Sequence, residues 1–112
     1  MTEKAELSLL LDYYSSFLTE RQRELMRLSA DEDMSLKEIA DEVGVSRQGV
    51  RDCLSKASAQ LAELENKLGL IERDRKLRSV LSKLESAGRD GSPDELKSAV
   101  ESAASDIRAI IK

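Results

Sequence analysis

Residues 35–50, "SLKEIADEVGVSRQGV", constrain the fold more than any other stretch of the chain. They contain two helix starts separated by one glycine break. Ser35 and Glu38 stand at the spacing of a capping box, and Met34 and Ile39 flank them as a hydrophobic staple. Gly44 then ends the first helix, because glycine takes the left-handed backbone that a tight turn needs. Ser46 caps the second helix, with Val45 and Val50 at staple spacing. Ala40, four residues before Gly44, is small enough to let the two helices touch. Ile39, Val43, Val45, Val50 and Cys53 supply the apolar contacts that lock one helix on the other. A three-residue turn, a small contact residue and an apolar lock together specify a helix-turn-helix.

The rest of the chain reads as helix as well. A first helix is expected over about 5–17, with Leu7, Leu10, Leu11, Tyr14 and Phe17 on one stripe. A second opens at Thr19, whose capping-box partner is Gln22, and turns Leu25, Met26 and Leu28 inward. The helix capped by Ser46 is long, reaching Leu68, with Gly69 as its stop. A fifth helix is expected over about 71–87, with Leu77, Val80, Leu81 and Leu84 inward. A linker follows at 88–92, within "GRDGSPDE". It closes on a strong helix start: Ser92 as cap, Pro93 at the first helical position, Asp94 and Glu95 in the first turn. The last helix carries Leu96, Val100, Ala103, Ile107, Ile110 and Ile111 at helical spacing. No stretch alternates as a strand does, and no repeat is sustained.

The expected fold class is therefore all-α. A helix-turn-helix domain spans 1–70, with a long fourth helix. A C-terminal extension of two helices spans 71–112 and is expected to pack on the same unit. At 112 residues the chain suits this arrangement.

Enzyme chemistry is not expected. The chain has no histidine, the commonest general base and metal ligand. Its five glycines are scattered, so no loop is rich enough in glycine to cradle a phosphate. The carboxylates interleave with Lys and Arg, as solvated helix faces do. No catalytic residue, metal site or cofactor is expected. The single cysteine, Cys53, falls on the inward face as a small hydrophobe or, alternatively, a reactive thiol. No apolar run approaches the ~18 residues of a membrane span. The N-terminus lacks a basic segment and a cleavage site. A cytoplasmic protein without a membrane partner is the expectation.

In a helix-turn-helix the second helix presents its N-terminal residues to base edges. The outward residues here are Arg47, Gln48, Arg51 and, further along, Lys56. Arg suits guanine and Gln suits adenine as paired hydrogen-bonding groups. Ser46, at the helix N-terminus, is placed to hold a phosphate. Gly49 is unusual inside a helix; close approach to a backbone explains it, and so does drift. Charge limits the affinity. The chain carries 22 acidic residues against 18 basic ones, and Asp41, Glu42 and Asp52 surround the few cations of this helix. Since affinity for a polyanion comes mainly from neutralised phosphates, weak binding is expected, aided by dimerisation.

Two features lie outside the motif. "RDRKLRSVLSK" places Arg73, Arg75, Lys76, Arg78 and Lys83 in a second basic patch, suited to nucleic acid or an acidic protein, or simply a solvated face. Val50, Leu54, Ala57, Leu61, Leu64, Leu68 and Ile71 are spaced as a heptad seam. That seam pairs two copies as a homodimer through Leu54, Leu61, Leu64 and Leu68, or packs on the chain's own helices.

From about Leu9 to Leu70 the chain resembles the YlxM family of small bacterial proteins. The stretches "LLDYYSSFLTERQRE" and "SLKEIADEVGVSRQGV" carry the resemblance. The motif is also similar to region four of sigma factors, which reads promoters. Resemblance to YlxM proteins implies a regulatory link to the signal recognition particle. The implied partners are its RNA or DNA, or its GTPase. It also carries Arg47, Gln48 and Arg51 over as candidate binding residues. The expected function is a nucleic-acid-binding regulatory protein of this targeting pathway. The alternatives are a protein-interaction module that modulates the targeting GTPases, or a sigma-like transcriptional regulator.

Overall fold

The computed structural model describes residues 4–112. Six α-helices and one short 3-10 turn follow one another, and no strand occurs among the described residues. They are α1 (Lys4–Tyr14), α2 (Glu20–Ala30), α3 (Leu36–Val43), α4 (Arg47–Leu68), α5 (Leu70–Asp90) and α6 (Pro93–Ile111). The chain divides into two compact units, Met1–Gly69 and Leu70–Lys112.

Local chemistry sets the helix ends of the first unit. Thr19 Oγ1 accepts from the N–H of Gln22 at 3.1 Å, and the Gln22 side chain accepts from the N–H of Thr19 at 3.0 Å. Ser35 and Glu38 repeat the same reciprocal pair at the head of α3. Each box satisfies two N–H groups that a helix start leaves without partners. Between α2 and α3, Asp33 adopts a φ of 55°, a region open to short polar side chains.

The first unit's core is aliphatic and built around α4. Helices α1, α2 and α3 all pack against it. Val50, Ala57 and Leu61 of α4 are fully buried, as are Tyr14 of α1 and Ile39 of α3; Leu25 and Met26 of α2 are nearly so. Each large apolar side chain buried in this way contributes about 1.5–3 kcal/mol. Tyr14 also needs a partner for its hydroxyl. It donates to Glu65 Oε1 at 2.6 Å, tying α1 to the far half of α4.

Burial in this core removes the dimer seam proposed for α4. Leu61 has no exposed surface, so it cannot meet a second chain. Leu54 and Leu64 are partly buried, and only Leu68, at the helix end, is half exposed. The heptad spacing is real, but the chain's own helices occupy it. The first helix also ends sooner than periodicity suggests. After Tyr14 the backbone tightens into the 3-10 turn Ser15–Phe17, and Leu18 donates to Ser15 O at 3.0 Å. That turn delivers the chain to the Thr19 cap and leaves Phe17 exposed rather than on the inward stripe.

The second unit is a helical hairpin, α5 on α6. The linker expected at 88–92 shrinks to Gly91 and Ser92, because α5 continues through Gly88 to Asp90. One glycine inside a helix costs only about 1 kcal/mol, and Ala87 and Arg89 on either side favour helix. Gly91 is where the chain must turn. Its N–H donates to Ala87 O at 2.9 Å, and a Cβ there would lie 2.6 Å from that same oxygen. Ser92 Oγ then caps α6 by accepting from Glu95 N at 3.2 Å. Val80 and Ala103 are the buried residues of this hairpin. Leu81, expected inward, is 54% exposed, because two helices cover only one narrow strip of each other.

Candidate nucleic-acid interface

The helix-turn-helix is formed by α3, the turn at residues 44–46, and α4. Gly44 closes α3 at φ 75°, ψ 31°, in the left-handed region. Its N–H donates to Ala40 O at 3.0 Å, and the N–H of Val45 donates to the same oxygen at 3.3 Å. Ala40 thus serves twice, as a nearly buried contact residue and as the acceptor that folds the turn. Leu25, Ile39, Ala40 and Val50 form one buried cluster, with Met34, Val43, Val45, Cys53 and Leu54 packed around it. The expected lock between the helices is therefore present, and α2 joins it through Leu25.

Ser46 Oγ accepts from Gly49 N at 3.0 Å and starts α4. Val50 is fully buried, and the helix period turns Gln48 to the side away from it, while Arg47 and Arg51 flank it on the first turns of α4. Arg47, Gln48 and Arg51 are exposed, as are Ser46 and, further along, Lys56. Among the described residues, no salt bridge engages Arg47, Arg51 or Lys56. Asp41, Glu42 and Asp52 are exposed as well.

Gln48 is not idle. Its Nε2 donates to Asp52 Oδ1 at 2.9 Å. This bond was legible from the spacing, since Gln and Asp four apart on a helix pair in this way. It orients the amide along the helix and keeps a carboxylate beside the cations. Gly49 sits at the third helical position, where a Cβ would meet Ser46 Oγ at 3.2 Å. The neighbour that approaches Gly49 is therefore the cap hydroxyl of its own helix.

Cys53 is partly buried against the core cluster. Burial pushes its thiol upward, while the nearby Arg21 and Lys56 pull it the other way; burial dominates. The thiol stays protonated and packs as a small hydrophobe.

The second basic patch lies on α5, in the other unit. Arg73, Arg75, Lys76, Arg78 and Lys83 are all exposed, but they do not share one face. Arg75 pairs with Glu72 on its own helix. Lys76 and Lys83 border clefts that also hold Asp106. The run is dense in sequence and divided in space.

Comparison with known proteins agrees with this geometry. Residues 1–99 match the family model of UPF0122, described as "Putative helix-turn-helix protein, YlxM / p13 like". A UPF0122 protein of Clostridium botulinum is 42% identical over 86 residues, covering 76% of this chain and 79% of that one. One from Symbiobacterium thermophilum is 46% identical over 88 residues, covering 78% and 81%. One from Halalkalibacterium halodurans is 40% identical over 97 residues, covering 86% and 89%. The chain belongs to the YlxM / p13-like family of helix-turn-helix proteins.

Proposed function

We propose that the chain is a nucleic-acid-binding regulatory protein whose reading element is the N-terminal half of α4. One observation carries this reading: Arg47 and Arg51 stand exposed beside Gln48 on the first turns of α4, and among the described residues neither arginine is held in an ion pair. A side chain that is neither packed nor paired is available to a phosphate or a base edge. Ser46 and the first amides of α4 offer a phosphate the positive end of the helix. Lys56, further along α4, is exposed but lies on the other side of the helix from Arg47, so the cationic face is that of the two arginines.

The affinity is modest in this account. The two arginines of this face release few counterions, and the carboxylate of Asp52 lies on the same helix turn as Gln48 and Arg51. The pathway we propose for this regulator is that of the signal recognition particle, and its setting the cytoplasm. Described residues contain no helix long and apolar enough to cross a membrane. The test is fluorescence anisotropy at low salt with labelled duplex DNA and, separately, the particle's RNA. Saturable binding to one of them, reversed by salt, is the expected result. Absence of binding to both at low salt would overturn the reading.

A further inference from the structure

The second unit leaves one shoulder of its hairpin bare. Leu81 of α5 is 54% exposed, and along α6 Leu96, Val100, Ile107 and Ile111 are 41%, 53%, 36% and 76% exposed. The α6 residues recur at intervals of four, seven and four, which is one stripe on a helix. Exposed Ala104 fills the gap in that stripe. The opposite shoulder is polar. Lys76, Ser79 and Lys83 of α5 line its clefts with Ser98, Ser102 and Asp106 of α6. Both helices give their polar flanks to that side, so their apolar flanks lie together on the other.

The clefts also fix the register of the hairpin. Lys76 lies by Ala109 and Ile110, while Lys83 lies by Ser98 and Ala99. The helices are therefore antiparallel, and Leu81 is level with the middle of α6, near Ala103 and Ala104. The α6 stripe is symmetric about that middle. Val100 and Ile107 stand equally far from the point between Ala103 and Ala104, and so do Leu96 and Ile111. On α5, Arg78 and Glu85 flank Leu81, stand equally far from the point between Leu81 and Ser82, and carry opposite charges. Both are exposed.

We infer that this shoulder binds a second copy of the chain about a two-fold axis that crosses both helices at their middle. Such an axis sets Val100 on Ile107 of the second copy and Leu96 on its Ile111. It brings the two Leu81 side chains together and places Arg78 against Glu85 in both directions. An isologous interface requires this reciprocity, each patch complementing itself. A foreign partner would not require the pattern to reverse onto itself. Two hairpins joined this way form a four-helix bundle. The hairpin also has a reason to associate: units near about 40 residues bury too little alone and ordinarily need oligomerisation or cross-links. This surface is separate from the α4 seam, which the first unit's own core occupies.

Sedimentation equilibrium of the full chain tests the proposal. The wild type is expected to be a dimer. Val100→Glu and Ile107→Glu are expected to yield monomers with unchanged helicity, since both side chains are exposed in the single chain. Arg78→Glu and Glu85→Arg are each expected to weaken self-association by roughly tenfold. An equimolar mixture of those two variants is expected to recover dimers, because each then meets its opposite charge. A wild-type monomer at the highest usable concentration would overturn the proposal. So would a dimer indifferent to Val100→Glu, or two weakened charge variants that fail to pair when mixed.

Discussion

The N–H of Gly49 donates to the Oγ of Ser46 at 3.0 Å, and a Cβ on Gly49 would lie 3.2 Å from that same oxygen. The cap and the glycine are thus one local device. Alanine in a helix is favoured over glycine by about 1 kcal/mol, but here the cap oxygen must move by a few tenths of an ångström to admit it. Gly49→Ala is expected to gain clearly less than that full amount. In a Ser46→Ala background, which itself costs about 1 kcal/mol, the same substitution should gain more. Urea unfolding of the four proteins in this cycle measures the difference, and equal gains in both backgrounds would show that the contact is irrelevant.

Gly44 carries the turn at φ 75°, with open space where a Cβ would be. Any penalty for a side chain is therefore one of backbone conformation alone. Gly44→Ala is expected to destabilise by about 1–2 kcal/mol. Gly44→Asn should lose less, because asparagine tolerates the left-handed region. Urea midpoints that rank alanine above asparagine would contradict this.

Tyr14 is fully buried, and its hydroxyl reaches Glu65 Oε1 at 2.6 Å. Tyr14→Phe keeps the ring among its neighbours and removes one donor to a carboxylate. A loss of about 1.5–3 kcal/mol is expected for a hydrogen bond to a charged group. Glu65→Gln, which keeps an acceptor, should cost less. Thermal unfolding of the two variants compares them directly.

Glu38 gives the fold a pH dependence of defined sign. The N–H of Ser35 first, and its hydroxyl second, hold the Glu38 carboxyl below its ordinary range. The folded state therefore favours the ionised form. The stabilisation is present above the ordinary carboxylate range and is lost as pH falls through the lowered folded value. Glu38→Gln, uncharged throughout, should show a smaller loss of stability between neutral and acid pH than the wild type. Parallel curves for the two proteins would remove Glu38 from the account.

The elements that were legible in the sequence are those set by local chemistry. The boxes Thr19–Gln22 and Ser35–Glu38, and the glycine at 44, act through neighbours a few residues away, so their spacing suffices. The outward placement of Gln48 follows from the inward placement of Val50 on the same helix, whereas Arg47 and Arg51 lie nearer to Val50 round the axis and only the packing shows them exposed. What periodicity cannot say is which surface covers a stripe. Leu61 and Leu81 both sit on regular apolar patterns; the first is buried by α4's neighbours in its own unit, and the second is bare. Gly88 looked like a linker because single-residue propensity is a small term, outweighed here by its helical surroundings. The basic run on α5 read as one patch because sequence density does not show how a helix distributes its side chains around its axis.

The most direct test of the central claim is the salt dependence of nucleic-acid affinity for the wild type, Arg47→Ala and Arg51→Ala. With about two phosphates neutralised, the logarithm of affinity should fall against the logarithm of salt with a slope of roughly −2, and each variant should reduce that slope by about 1. Circular dichroism should show both variants as helical as the parent. Salt-independent binding, or two variants that bind as the wild type does, would contradict the assignment of this face of α4 to nucleic acid.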